Sequence, residues 1–152
     1  MKLISSTFAL MLILTGCAKI NDAGMKLLSS SSPAFMVING QFLTGDAVLY
    51  IDRSGTLGLE STLEPKIKCM GSIRYTATRS GIANIRCSDG IESAMTFNSI
   101  TETRGFGGGL TGMGTASFAF GMTAEEASAY LSLPVGKRIV TSPTGEIQLV
   151  SN

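Results

Sequence analysis

The residues with the most distinctive chemistry in this chain are three cysteines, Cys17, Cys69 and Cys87. Histidine is absent, which removes the commonest general base and the commonest imidazole metal ligand. A serine or cysteine nucleophile would have to use a lysine, an aspartate or an N-terminal amine as its base, and no local motif supplies one. Asp46 and Asp52 could converge in a fold, but nothing in their surroundings marks them as an acid–base pair. Glu125 and Glu126 are adjacent, point in different directions from a helix, and are explained by stabilisation of a helix start. The acids never recur at the spacing of a calcium loop. The expectation is a non-enzymatic protein with no cofactor and no metal. Residues Gly107 to Gly112 match G-x-G-x-x-G, yet a dinucleotide site needs that loop to open a helix, and Thr115 to Phe120 reads as a strand. The stretch Gly105 to Gly114 is instead read as a long hairpin loop or bulged barrel corner. A further reading is a mobile interaction loop, in which Phe106, Leu110 and Met113 offer apolar contact.

Cys17 stands at the end of Leu14-Thr15-Gly16-Cys17, after Lys2 and an apolar run from Phe8 to Leu14. That run is far short of the roughly 20 residues that span a bilayer, so it reads as a signal and not a membrane helix. A plain secretory signal could end in a similar way, but the small residue directly before a cysteine resembles the lipobox of bacterial lipoproteins. The resemblance covers the first seventeen residues and implies that the Cys17 thiol receives a diacylglycerol, that the chain is cut before it, and that its amine is acylated. Two or three acyl chains such as palmitate exceed the single chain that gives only marginal binding, so the anchor would be stable. Ala18, in place of the aspartate that retains such proteins at the inner membrane, implies the outer membrane. The expected organisation is a signal peptide over 1–16, a lipidated N-terminus and polar tether over 17–33, and a β-rich periplasmic domain over 34–152. The tether is read from Asn21, Asp22, Gly24 and the run Ser29 to Pro33, which lack periodicity.

With Cys17 assigned to the lipobox, Cys69 and Cys87 remain as an even pair in an exported chain, which reads as a disulfide. A free buried pair of thiols and two ligands of a metal are the other readings, the second falling short of the four ligands of structural zinc. Ile67, Cys69, Ile73 and Tyr75 alternate onto one face, as do Ala83, Ile85 and Cys87. Folded about a turn from Thr78 to Gly81, the two cysteines fall near opposite positions, and a one-residue slip would turn one of them outward. The spacing is not that of a redox Cys-x-x-Cys, so the bridge is read as structural.

The elements that must position these residues are mostly strands. Ala47 to Ile51 and Thr56 to Glu60 flank Asp52-Arg53-Ser54-Gly55, a hairpin expected to place its glycine at the left-handed position. Ser88-Asp89-Gly90 marks a turn before Ala94 to Ile100. Thr123-Ala124-Glu125-Glu126 has the form of a capping box and predicts a short helix near 124–132, ended by Pro134. Arg138 to Thr141 and Glu146 to Val150 flank a closing hairpin. The fold expected is mainly β, a small antiparallel barrel or sandwich of about seven to eight strands with one short helix. The order of Cys69-Met70-Gly71, Cys87-Ser88-Asp89-Gly90, the glycine-rich stretch and Phe120-Gly121-Met122 resembles small uncharacterised lipoproteins of Gram-negative bacteria, a resemblance that implies no activity.

Charged residues make up 15% of the chain and the net charge is +1, with no run of Lys or Arg to follow phosphates, so nucleic acid is not an expected partner. The expected partners are the membrane, through acyl chains on Cys17, and another envelope protein. The function read from these features is a lipid-anchored structural or protein-interaction module, presenting an edge strand or the Gly105 to Gly114 loop. The alternative is a carrier of a small hydrophobic ligand in a barrel cavity. The eight methionines suit either as core filler.

Overall fold

The structure is a computed structural model that describes residues 29–152. The signal segment, Cys17 and residues 17–28 of the expected tether lie outside the described residues. Eight strands run up and down: β1 (Ser29–Ile38), β2 (Gln41–Tyr50), β3 (Ser54–Ser61), β4 (Lys68–Ala77), β5 (Ser80–Cys87), β6 (Glu92–Thr101), β7 (Arg104–Thr111) and β8 (Thr115–Phe120). Each pairs antiparallel with its neighbour, and β1 pairs with β8 to close a barrel. A helix α1 (Ala124–Ser128) and a separate hairpin of β9 (Lys137–Thr141) and β10 (Ile147–Ser151) follow. Of the two architectures expected, the barrel is the one formed. The helix is shorter than expected, and its capping box is in place: Glu126 N–H donates to the Thr123 hydroxyl and Thr123 N–H to the Glu126 carboxylate.

One boundary differs. Ser29 to Pro33, expected in the tether, belongs to β1 and pairs residue by residue from Ser29 opposite Tyr50 to Pro33 opposite Asp46. A polar run without periodicity forms a strand here because its ladder bonds go to β2. On its other side β8 reaches only from Ala34 to Ile38, so the proline's missing N–H falls on an edge where no ladder bond is needed. The chain thus enters the barrel at the rim that carries the β2–β3, β4–β5 and β6–β7 turns.

Alternation sends Met36, Ile38, Leu43, Leu49, Leu57, Leu59, Ile73, Ile85, Met95, Phe97, Phe118 and Phe120 into the barrel, where all are buried. An eight-stranded barrel is just wide enough for side chains to fill it. Here the volume is divided unequally. Phe97, Phe118 and Phe120 form a triangle of rings with centroids about 6 Å apart, and Tyr75 meets Phe97 edge-on at 4.9 Å, while the inward positions of β7, the strand between β6 and β8, are glycines.

Outward positions split the barrel into two sides. On β1, β2 and β8, Phe35, Val37, Phe42 and Ala119 point outward yet are buried, because Met122, Ala124, Ala127 and Leu131 pack over them, with Ile139, Ile147 and Leu149 of the hairpin at the margin. This second core explains why β1 is buried on both faces from Ala34 to Ile38. On β4 to β6 the outward row carries Ser72, Arg74, Asn84, Arg86, Glu92, Thr96 and Asn98, with Met70 and Ile82 as apolar members, all exposed. An apolar lumen and a mostly polar outer face on these strands differ from the polar interior and apolar outer band of a membrane-spanning barrel. Among the described residues no helix is long and apolar enough to cross a membrane.

Candidate ligand site at the barrel mouth

The two ends of the barrel are built differently. At one end Cys69 and Cys87 stand directly opposite each other in the β4–β5 ladder and are joined by a disulfide. Ile67, Leu59 and Ile91 pack beside it, and the β5–β6 turn is held by Gly90 in the left-handed region, with Ile91 N–H donating to the Asp89 carboxylate. The β1–β2 connection at this end is Asn39-Gly40, both at positive φ, the two-residue turn that matches strand twist. This end is closed.

The other end is a mouth. A cavity of about 590 Å³ opens there, lined by Leu49, Tyr50, Arg53, Tyr75, Arg79 and Ile100 among others. Each arginine sits in or beside a turn and is held by an element further along the chain. Arg53 closes the β2–β3 turn at φ 64°, where the Asp52 carboxylate accepts from Ser54 N–H and hydroxyl at 3.0 and 2.6 Å. Those two bonds, the hydroxyl's first, hold the Asp52 carboxyl below the usual carboxylate range. From there the Arg53 guanidinium reaches the Ala77 and Thr78 carbonyls of the β4–β5 turn and lies over the Tyr75 ring, 5.1 Å from its centroid. Arg79, in that turn, donates to the Ser99 and Ile100 carbonyls of β6 at 3.3 and 2.8 Å. Arg104, beside the β6–β7 turn, completes the sequence with an ion pair to Glu126 of α1 at 3.1 Å. Glu126 is held below the usual carboxylate range, first by the Thr123 N–H and then by Arg104.

The expected left-handed glycine of the β2–β3 hairpin is therefore corrected: Arg53 takes that position, and Gly55 lies in β3 facing the lumen, where a Cβ would collide with the Val48 carbonyl and Leu49. The candidate interaction loop is corrected as well. Gly105 to Thr111 is the body of strand β7, and Phe106, Leu110 and Met113 do not gather. Phe106 lies under the C-terminal cover, stacked on Tyr130 at 4.3 Å. Leu110 is exposed near the end of β7, and Met113 is exposed in the β7–β8 turn. The physical reason is volume. Gly105, Gly107 and Gly109 face inward against Phe120, Phe97 and Met95, leaving no room for a Cβ, so the glycines are a wall thinned to admit large neighbours. Asp46 lies exposed within β2 and Asp52 serves its own turn, so these two acids do not converge. Among the described residues no three metal-ligating side chains gather.

Sequence reading missed the mouth. Tyr75 is visible on an alternating face, but the signal for Arg53 and Arg79 is only that each occupies a hairpin turn, which single-sequence patterns treat as solvated surface.

The fold and site define an eight-stranded up-and-down antiparallel β-barrel with a C-terminal cover. No family model and no curated protein matches the chain. Among solved structures, a redesigned β-barrel, mFAP1, bound to DFHBI, is similar, with a TM-score of 0.50 and 14% sequence identity. The match covers 64% of this chain and 96% of that one. The likeness is one of fold.

Proposed function

We propose that this chain is a lipid-anchored bacterial envelope protein whose barrel binds a small, largely apolar ligand at its open mouth. The observation that carries the reading is the placement of a recess of about 590 Å³ at the barrel mouth, between the lumen side chains and two arginines held by backbone carbonyls; a recess of about 600 Å³ on the outer wall has no such setting. The mouth has an apolar floor of Leu49 and Tyr75 and a few fixed polar groups. Among the surfaces first assigned to the interaction reading, the glycine stretch from Gly105 to Thr111 is part of the wall, and unpaired strand edges remain among the described residues at Ser29 to Pro33 and on the β9–β10 hairpin. The test uses full-length protein purified from membranes in mild detergent, followed by solvent extraction and mass spectrometry. A low-molecular-weight compound recovered from wild type and lost in Tyr75→Arg supports the reading. Equal recovery from both, or none from either, overturns it.

A second reading, contact with another envelope protein, is favoured by the uncovered side of the wall. There Met70, Leu110 and Met113 are 70%, 75% and 80% exposed, although single exposed apolar residues are common. Photocrosslinking from Leu110 in cells to one defined envelope protein supports it, and only non-specific adducts count against it.

Anchoring rests on Cys17. Cys17→Ser is expected to abolish processing and acylation, and unchanged processing with retained label from a fatty-acid precursor would refute it.

A further inference from the structure

We infer that the mouth selects an organic anion, an apolar ring or short acyl body carrying one carboxylate, sulfonate or phosphate group, and that Arg53 and Arg79 provide the selectivity. The inference rests on the ligand reading above and adds the chemical class to it. Its basis is the charge left over at the rim. Ion pairs among the described residues use Glu60 with Lys66 and Lys68, Arg86 with Glu92, and Arg104 with Glu126. Arg53 and Arg79 have no carboxylate partner among these residues. Their bonds go to backbone carbonyls, which fix the guanidinium planes without cancelling their charge. Nε and Nη1 of Arg53 and Nη1 of Arg79 are outside those bonds. Glu102 is the single carboxylate in the cavity lining, and Asp52 of the β2–β3 turn accepts from Ser54 and pairs with neither guanidinium.

The geometry also supplies the apolar half of the ligand site. Tyr75 is braced beneath by Phe97 and above by Arg53, and its hydroxyl donates to the Glu102 carbonyl, which leaves Leu49, Ile100 and the flank of the ring to contact a ligand body. A guanidinium held in place loses little freedom when an anion arrives, and charge-assisted bonds from it are the strong kind. The same carbonyl bonds stitch the turns together, so a purely structural role for the arginines is the competing account, and the test must separate the two.

Naphthalene sulfonate and its neutral isostere naphthalene sulfonamide are titrated by calorimetry into full-length protein in detergent, with protein-free micelles as blank. The expected result is a preference for the sulfonate of about tenfold or more, the factor that about 1.4 kcal/mol supplies. Arg53→Met with Arg79→Met should abolish that preference, bringing the affinities of the two probes together, while Arg86→Met on the outer wall should leave the wild-type preference in place. The single variants serve if the double variant does not fold, each reducing the preference. Equal affinities for both probes in wild type overturn the anion class while leaving the ligand reading in place. A preference that survives both arginine changes overturns the assignment to these residues and leaves them as stitches. Binding of neither probe overturns this inference, and the extraction experiment, which does not depend on charge, then decides separately whether the mouth holds any ligand.

Discussion

Glycine carries two opposite messages in this chain, and a single residue decides between them. Gly90, at φ 87° with open space where a Cβ would be, is a turn residue, as Ser88-Asp89-Gly90 suggests. Gly81 follows an equally turn-like Arg79-Ser80, yet it is a lumen position, and a Cβ there would strike the Phe97 ring and the Arg74 carbonyl. Gly81→Ala is therefore expected to destabilise by about 1–3 kcal/mol through overpacking. Gly58→Ala, on the exposed outer face of β3 with nothing nearby, should be neutral or slightly favourable; urea unfolding of the two variants measures the contrast, and equal midpoints would refute it. Sequence patterns could not make this distinction, because the constraint on Gly81, Gly105 and Gly107 comes from aromatic rings on other strands. Titration gives a second residue-scale prediction. Asp52 and Glu126 have native pKa values below their unfolded ones, so their contribution is complete above the unfolded carboxylate range of about 4 and disappears as pH falls through the lower native values. Asp52→Asn should flatten the acid limb of a stability–pH profile between those values, and an unchanged profile would refute the assignment.

At the scale of elements, the hairpin of β4 and β5 was the most legible, since alternation, turn and cysteine pair all specify one register. The ladder places Cys69 opposite Cys87, closing a loop of sequence separation 18. Replacing both with alanine should cost about 3 kcal/mol in the chain-entropy account, read as a lower denaturant midpoint with retained β circular dichroism. Helix α1 was legible from its capping box, but its length was not, because tertiary contacts end it. After Ser128 the chain turns to place Tyr130 on Phe106 and Leu131 in the outer core. A helix of five residues cannot stand on propensity. Thr123→Ala should thus cost about 1 kcal/mol and loosen the cover locally, visible as faster amide exchange from Ala124 to Leu131 while the lumen stays protected. The β1 strand was the least legible, as Ser29 to Pro33 has neither a strand composition nor an alternating pattern.

For the whole molecule, two cores share one wall. The lumen core is enclosed sideways by closure of the barrel, whereas the outer core exists only while the C-terminal segment stays in place. Truncation after Met122 would expose Phe35, Val37 and Phe42 together, a contiguous apolar patch of the kind that drives association. The expected outcome is a barrel that aggregates or oligomerises in size-exclusion chromatography, while the full chain does not; a truncated form that elutes as a folded monomer would show the cover to be dispensable. The general architecture was readable because alternation is a local property. Closure was not, since pairing of β1 with β8 joins segments far apart in the chain, and nothing local distinguishes a closed sheet from an open one.

The pairing of Ser29 with Tyr50 fixes a direction as well as a register. The chain enters at the rim that bears the mouth, and Tyr50 is itself part of the cavity lining. With Cys17 acylated as proposed, a tether from there to Ser29 spans at most about 40 Å even when fully extended. The opening would then stay within that reach of the bilayer surface. If the proposed ligand comes from that membrane, lengthening the tether should slow loading without altering equilibrium affinity.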